Sequence, residues 1–409
     1  MSTSIPEGKR KKINRELERS GYQGPLVVDD SLPSEHQGML SDLRARAGHT
    51  IAEVTKADTV RPNIYFDFVE DMRFNAVALL LPKARPGAAR ARAIQRTRVR
   101  QSDYFILINT RVVVDVAGLF RNLFALPQFA AHIGNPSLES ELHIRAVPVT
   151  SRNASVIDIM PHHPRLPKCP ARALIAATLS QAALDFLLLH ELGHIRNGHL
   201  PYLFPGMAAQ LAEAEAFPKG QDDALARHTL EMDADAHAVV HGVNDALALT
   251  GSTWSPETRK PLEKLYATPE STLYAYLLAI YALFRCFGKE SWNPNTVWTS
   301  THPPPAMRQY MIPGLVHAHL SRGQQLVSPK KAFQSAREVI EDVERGISLL
   351  TGVIPDLTGF ALAAQYFPVY GRQLSEYWIK AFPHLDKLKL GGRLAPPEPW
   401  RDGPEEADQ

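Results

Sequence analysis

Residues 171–197 constrain this chain more than any other stretch. They carry helical periodicity up to Gly198, and the second half reads Leu189-His190-Glu191-Leu192-Gly193-His194-Ile195-Arg196. His190 and His194 stand four apart, so one turn separates them and both rings leave the same face. Leu184, Leu187, Leu188, Leu192 and Ile195 form the opposing apolar stripe that anchors the helix in a core. Two imidazole nitrogens at this spacing suit two corners of a tetrahedral Zn²⁺ site. Glu191, beside His190, reaches a water at such a metal without ligating it, as a general base requires.

Zinc needs a third protein ligand, and the sequence ranks the candidates. His199 follows His190 by nine residues, half a helical circle round and just past Gly198, a helix-ending glycine. That placement suits a supporting or surface residue. The long metzincin pattern puts a glycine three residues and a third histidine six residues after the second histidine. Asn197 and Leu200 stand there instead, so that class does not fit. A second helix, expected over 223–249, offers Glu231-Met232-Asp233-Ala234-Asp235. Glu231 and Asp235 share a face, where like charges repel unless a cation or an imidazole N–H holds them. Glu231 as metal ligand and Asp235 as acceptor from a ligand histidine satisfy both. Further on, Ser300-Thr301-His302-Pro303-Pro304-Pro305 places His302 on a stiff, non-helical segment that can hold an imidazole over a site, for oxyanion stabilisation or substrate binding.

The rest of the chain sets the context. Its 409 residues carry 45 Lys+Arg against 43 Asp+Glu, with 44% hydrophobic and 22% charged residues, which describes a globular protein and excludes collagen-like, disordered and disulfide-scaffold classes. A net charge of +2 excludes a whole-protein polyanion binder. Two cysteines, Cys169 and Cys286, fit a reducing compartment. No long apolar run follows the basic cluster Lys9–Lys12, which argues against a secretory signal. The most lipid-like stretch, Ser271 to Phe284, is 14 uncharged residues long, short of the roughly 20 a bilayer-spanning helix needs. The expectation is a cytoplasmic protein with no membrane span.

Residues 1–25 read as a flexible basic tail and 391–409 as a flexible Pro-rich, acidic one, with a main domain over 26–325 and a C-terminal helical extension over 326–390. Strands are expected at Asn63–Val69, Phe74–Leu81 and Tyr104–Ile108, and a helix at Val113–Phe124. Between the last two strands, 83–100 holds Lys83, Arg85, Arg90, Arg92, Arg96, Arg98 and Arg100 with no acid. Residues 125–170 read as an irregular insertion with one strand at most, containing the exposed-loop pair His162-His163. Further helices are expected over 271–287, 330–350 and 356–382, with Pro355 as the interruption before the last. His228 shares the face of Glu231 and suits a supporting role there; His237 is a neighbour of the same motif.

The histidine helix, the Glu231–Asp235 helix and His302-Pro303 with Arg308, in that order, resemble the gluzincin metallopeptidases of the HtpX, Oma-type and CAAX prenyl endopeptidase family. Phe74-Asn75-Ala76-Val77-Ala78 is similar to that family's Asn-Ala strand, and Gly118-Leu119-Phe120 to its lead-in to the active-site helix. A weaker resemblance is to the Lit-type phage-exclusion peptidases. The family resemblance implies an α+β fold, mainly helical and zincin-like, with a small antiparallel sheet packed against the active-site helix. It implies one Zn²⁺ per chain held by His190, His194 and Glu231, with Glu191 as base, and Asp235 and Arg308 as supports of the ligands. Substrate contacts would come from Phe74, Asn75 and Ala76, the strand there offering an edge to which an extended protein or peptide substrate adds. The expected function is a zinc endopeptidase. The alternative is a non-enzymatic, zinc-stabilised regulator that binds nucleic acid or protein through 83–100. That segment has no aromatic residue for base stacking, and a structural zinc site is usually closed by four Cys/His ligands.

Overall fold

A computed structural model describes residues 5–28, 34–58, 61–81, 102–140, 156, 165–204, 209–212, 220–250, 262–288, 292–323, 326–353 and 357–399. Two helices open it, α1 (Glu7–Arg19) and α2 (Ser34–Val54), followed by β1 (Asn63–Val69), β2 (Ala76–Leu81), β3 (Asp103–Asn109) and α3 (Thr110–Phe124). The long helix α4 (Pro170–Arg196), short α5 (His199–Leu203) and strand β4 (Ala209–Ala212) come next. Five helices complete the order: α6 (Gln221–Ala248), α7 (Pro269–Phe287), α8 (Pro305–Arg322), α9 (Lys330–Thr351) and α10 (Thr358–Leu388). The result is α+β and mainly helical.

The sheet runs β1-β3-β2-β4 and is mixed, which corrects the antiparallel expectation. β2 pairs antiparallel with both β3 and β4, but β3 inserts between β1 and β2 and runs parallel to β1, Asn63 opposite Asp103. The short reversal around Asp71 therefore joins two strands that do not pair. Asp71 holds it by accepting from the backbone N–H groups of Gln23 (2.7 Å) and Arg73 (2.8 Å).

β2 and β3 are buried along their whole length, so both sheet faces need cover. Side-chain alternation sends Ala76, Ala78, Leu80, Ile106 and Ile108 towards the main helical core. Val77, Leu79, Phe105 and Leu107 point the other way, where Ile5, Ile13, Leu17, Tyr22 and Leu26 cover them. Residues 5–25 are thus no loose tail: α1 is the lid of the second sheet face. Arg10 and Arg44 both grip Asp67 (2.7 and 2.8 Å), and Lys9 grips Asp103 (2.9 Å).

The helix α4 crosses the centre of the core, packed by α3, α6 and α7. By length and composition it could cross a membrane, but most of its apolar window is buried inside the protein. At its first turn Arg172, fully buried, donates to the carbonyls of Phe124, Leu126, Phe129, Ala130 and Ile133. One buried guanidinium so satisfies a run of turn carbonyls that no ladder takes up. Among the described residues of the 125–170 insertion there is no strand; they include the short 3₁₀ helix Pro136–Leu138 and helical Val156. His162 and His163 lie outside the described residues, as do Pro355 and all of 83–100.

The last two helices are integral rather than an added layer. Glu344 on α9 accepts from Tyr281 (2.9 Å) and Arg285 (2.6 Å) of α7. α10 packs on α6 and α8. The chain after α10 is packed as far as Leu394, against the expectation for that end, with Leu394 buried and Trp378 Nε1 donating to the Ala395 carbonyl at 3.1 Å, while 395–399 are exposed.

Candidate metal centre

Gly193 decides how closely α4 and α6 approach. A Cβ there would lie 3.1 Å from the His237 Cβ and 3.2 Å from the Ala234 Cα, tighter than packed atoms tolerate without shifting. With no side chain in the way, His190, His194 and Glu231 converge, all buried. His190 Nε2 lies 3.2 Å from Glu231 Oε2, His194 Nε2 3.3 Å from Glu231 Oε1, and the two Nε2 atoms 3.0 Å apart. Donors about 2.0–2.1 Å from one tetrahedral zinc ion stand about 3.4 Å from each other, so the triangle is close to the size a Zn²⁺ site requires.

Proton bookkeeping says what this triangle contains. His190 Nδ1 is 2.9 Å from Asp235 Oδ1, closer than to Arg308 Nη2 at 3.3 Å. The carboxylate accepts, so the His190 proton sits on Nδ1 and Nε2 is a bare lone pair. Arg308 completes Asp235 with two bonds, Nε to Oδ2 at 2.9 Å and Nη2 to Oδ1 at 2.6 Å. His194 Nδ1 lies 2.8 Å from His199 Nδ1, and His199 Nε2 lies 3.0 Å from Asp233 Oδ2. Asp233 likewise accepts, so His199 donates from Nε2 and receives the His194 Nδ1–H, leaving His194 Nε2 bare. Neither Glu231 oxygen has a hydrogen-bond partner. In this arrangement lone pairs face lone pairs in a buried space, which a cation stabilises.

The electrostatics agree with the donor chemistry. Burial pushes the Glu231 carboxyl up, but the facing rings of His302, His194 and His190 outweigh it and hold the group well below the ordinary carboxylate range. Burial takes His194 down to about 4. At neutral pH Glu231 is then a carboxylate and His194 a neutral imidazole, protonation states that suit a divalent metal. Glu191 is buried one position along α4 from His190.

His302 comes to the same place from the segment before α8. Its Nε2 is 3.6 Å from Glu231 Oε1 and its Nδ1 is 3.0 Å from Thr301 Oγ1. Its side chain is 13% exposed against 0–2% for His190, His194 and Glu231, so it sits on the solvent side of the triangle. His228, read from the sequence as a support of Glu231, acts on this segment instead: its Nε2 meets the Ser300 carbonyl at 2.9 Å and its Nδ1 the Tyr370 hydroxyl at 3.0 Å. Trp298 stacks on Tyr370 at 5.3 Å, tying α10 to the His302 loop.

Both His228 bonds suit the neutral ring, Nε2–H to the carbonyl and Nδ1 from the hydroxyl. Burial above all pushes its pKa down to about 3, from about 6.5 when unfolded. The unfolded chain takes the proton first, so this contribution is whole above pH 6.5 and is lost as pH falls towards 3. Between pH 7 and pH 5 the loss is expected to reach up to about 2 kcal/mol from this residue. Urea unfolding at both pH values should show a smaller drop for His228→Gln than for wild type; equal drops would contradict it.

Phe74, Asn75 and Ala76 have partners within the protein. Phe74 packs edge-on against Phe287 (4.7 Å), Asn75 Nδ2 meets the Tyr22 hydroxyl at 3.2 Å, and Ala76 is buried opposite Ile108. β2 is no open edge either, because β4 pairs along Val77–Leu80. Sequence reading gave His199 a supporting or surface place but missed its partners Asn197 and Asp233, and it missed Tyr370. The one signal for the former was His199 just past Gly198, with Asp233 between the two acids already singled out.

No family model, curated protein or solved structure matches this chain. The likeness to the gluzincin peptidases therefore rests on the three short motifs and on their meeting at this centre.

Proposed function

We propose that the chain is a zinc-dependent endopeptidase with one Zn²⁺ held by His190, His194 and Glu231. The observation that carries the reading is the buried convergence of His190 Nε2, His194 Nε2 and the two Glu231 oxygens, at 3.0 Å between the rings and 3.2 and 3.3 Å from ring to carboxylate. Two imidazoles and one carboxylate are a donor set that suits zinc and leaves a vertex open for chemistry.

Bound there, zinc polarises a carbonyl and lowers the pKa of a water molecule. Glu191 takes the proton of the attacking water and passes it to the leaving nitrogen, the work of a buried carboxylate beside a ligand that is itself oriented by others. His302, on the solvent side and anchored through Thr301, donates from Nε2 to the oxyanion. Asp235 and Arg308 hold His190 in one tautomer and one orientation. A substrate adding as a strand on this side of the sheet would meet β4, since β2 has neighbours on both sides.

The test is metal analysis with a cleavage assay on an unfolded protein or a peptide library. The purified protein should carry about one zinc per chain. Hydrolysis should stop with 1,10-phenanthroline and return with added Zn²⁺. Zinc-loaded protein that cleaves no peptide would end the peptidase reading, and protein that takes up no metal would end both.

A further inference from the structure

His190 has a carboxylate directly on its Nδ1, and His194 does not. We propose that Asp233 and His199 form a second positioning relay, acting through His194 to set the affinity of the centre for its metal. The inference rests on the metal reading above. Gly198, at φ +80°, ends α4 and turns the chain so that His199, first residue of α5, returns beneath His194. No side chain fits at that turn, because a Cβ would come within 2.8 Å of the Leu388 carbonyl carbon.

The relay runs in one direction only. Asp233 Oδ2 accepts from both Asn197 Nδ2 and His199 Nε2. In the tautomer that gives Nε2–H to Asp233, His199 presents a lone pair on Nδ1 and accepts from His194 Nδ1, 2.8 Å away. All of these groups are buried, so water does not offer an alternative. Without the relay, His194 is free to carry its proton on Nε2, where Glu231 Oε1 waits at 3.3 Å. The triangle would then close on itself by a hydrogen bond, and a metal would have to break that bond to enter. Asp233 and His199 hold the proton away from the centre and keep the site open to a cation.

The experiment is Zn²⁺ affinity of the full chain, measured by competition with a chromophoric chelator alongside melting of the metal-free protein. His199→Phe removes the acceptor and is expected to weaken zinc binding about 10–100-fold. The metal-free melting temperature is expected to fall as well, since Asp233 loses a buried donor, and affinity is therefore compared on the folded protein. His199→Gln, whose amide oxygen can accept from His194 Nδ1, should recover most of that loss. A folded His199→Phe protein that binds zinc as tightly as wild type overturns the relay. Should that variant not fold, Asp233→Asn carries the test: it keeps an oxygen for both donors and loses the charge, and is expected to bind zinc about 3–10-fold more weakly. Unchanged affinity in Asp233→Asn then overturns the relay. Wild type that binds no zinc overturns the relay and the metal reading together; wild type that binds zinc while the variants match it overturns the relay alone.

Discussion

Glu191→Gln should abolish peptide hydrolysis while the protein still binds zinc. The substitution keeps the volume and polarity of a buried residue beside His190 and removes only the capacity to take a proton. General-base catalysis contributes about 10²–10⁴-fold, and the loss here should lie at or beyond the upper end, since one carboxylate serves both proton transfers. The triangle of His190, His194 and Glu231 is untouched, so metal content and affinity should stay as in wild type. The measurement is kcat/KM on a peptide that wild type cleaves, with metal analysis of the same sample. Hydrolysis at the wild-type rate would remove Glu191 from the chemistry. A dead, metal-loaded protein would also serve to capture substrates.

Arg308→Met should have the largest effect on stability. Arg308 and Asp235 are both buried and joined by two hydrogen bonds, and the guanidinium also lies over the Phe284 ring at 4.5 Å. Removing the cation leaves a buried carboxylate without its main partner, which costs about 3–5 kcal/mol. Asp235 also orients His190, so zinc affinity should fall as well. The double variant Arg308→Met/Asp235→Leu separates these effects. Stability should largely return once no buried charge is left alone, whereas zinc affinity should stay low because nothing then fixes the His190 proton. Thermal or urea unfolding and chelator competition on the three variants check this. Full recovery of affinity in the double variant would show that Asp235 does not position His190.

Why some of this was legible in the sequence and some was not follows from the range of the interactions. His190/His194 and Glu231/Asp235 each sit one helical turn apart, so the periodicity of a single helix exposes them. α4, α6 and α7 begin and end within a few residues of the limits expected from that pattern. Which pair would meet which was readable only as a chemical need, since 45 residues separate His190 from Asp235. The parallel pairing of β1 with β3 was not legible, because Phe74–Leu81 looks like the second arm of a hairpin with β1. The edge beside β2 is filled by Ala209–Ala212 from beyond the histidine helix, four residues too short to stand out. The helix α1 is so polar that Ile13 and Leu17 are its chief buried residues; their role appears only once the far side of the sheet is known to be apolar. Asp233 reaches the centre through another side chain, and no spacing rule on its own helix points to it.

The backbone near Leu390 has a bearing on how this protein is made. The Arg196 carbonyl, at the last turn of α4, accepts from the N–H groups of Leu390 (2.8 Å) and Gly392 (3.2 Å), and the Arg196 guanidinium returns a bond to the Gly391 carbonyl. The histidine helix so leaves the ribosome 195 residues before the segment that finishes its end. Such distant closure slows folding, and zinc offered to the nascent chain would meet histidines whose surroundings are incomplete. The end of the histidine helix is therefore completed only after translation has passed residue 392.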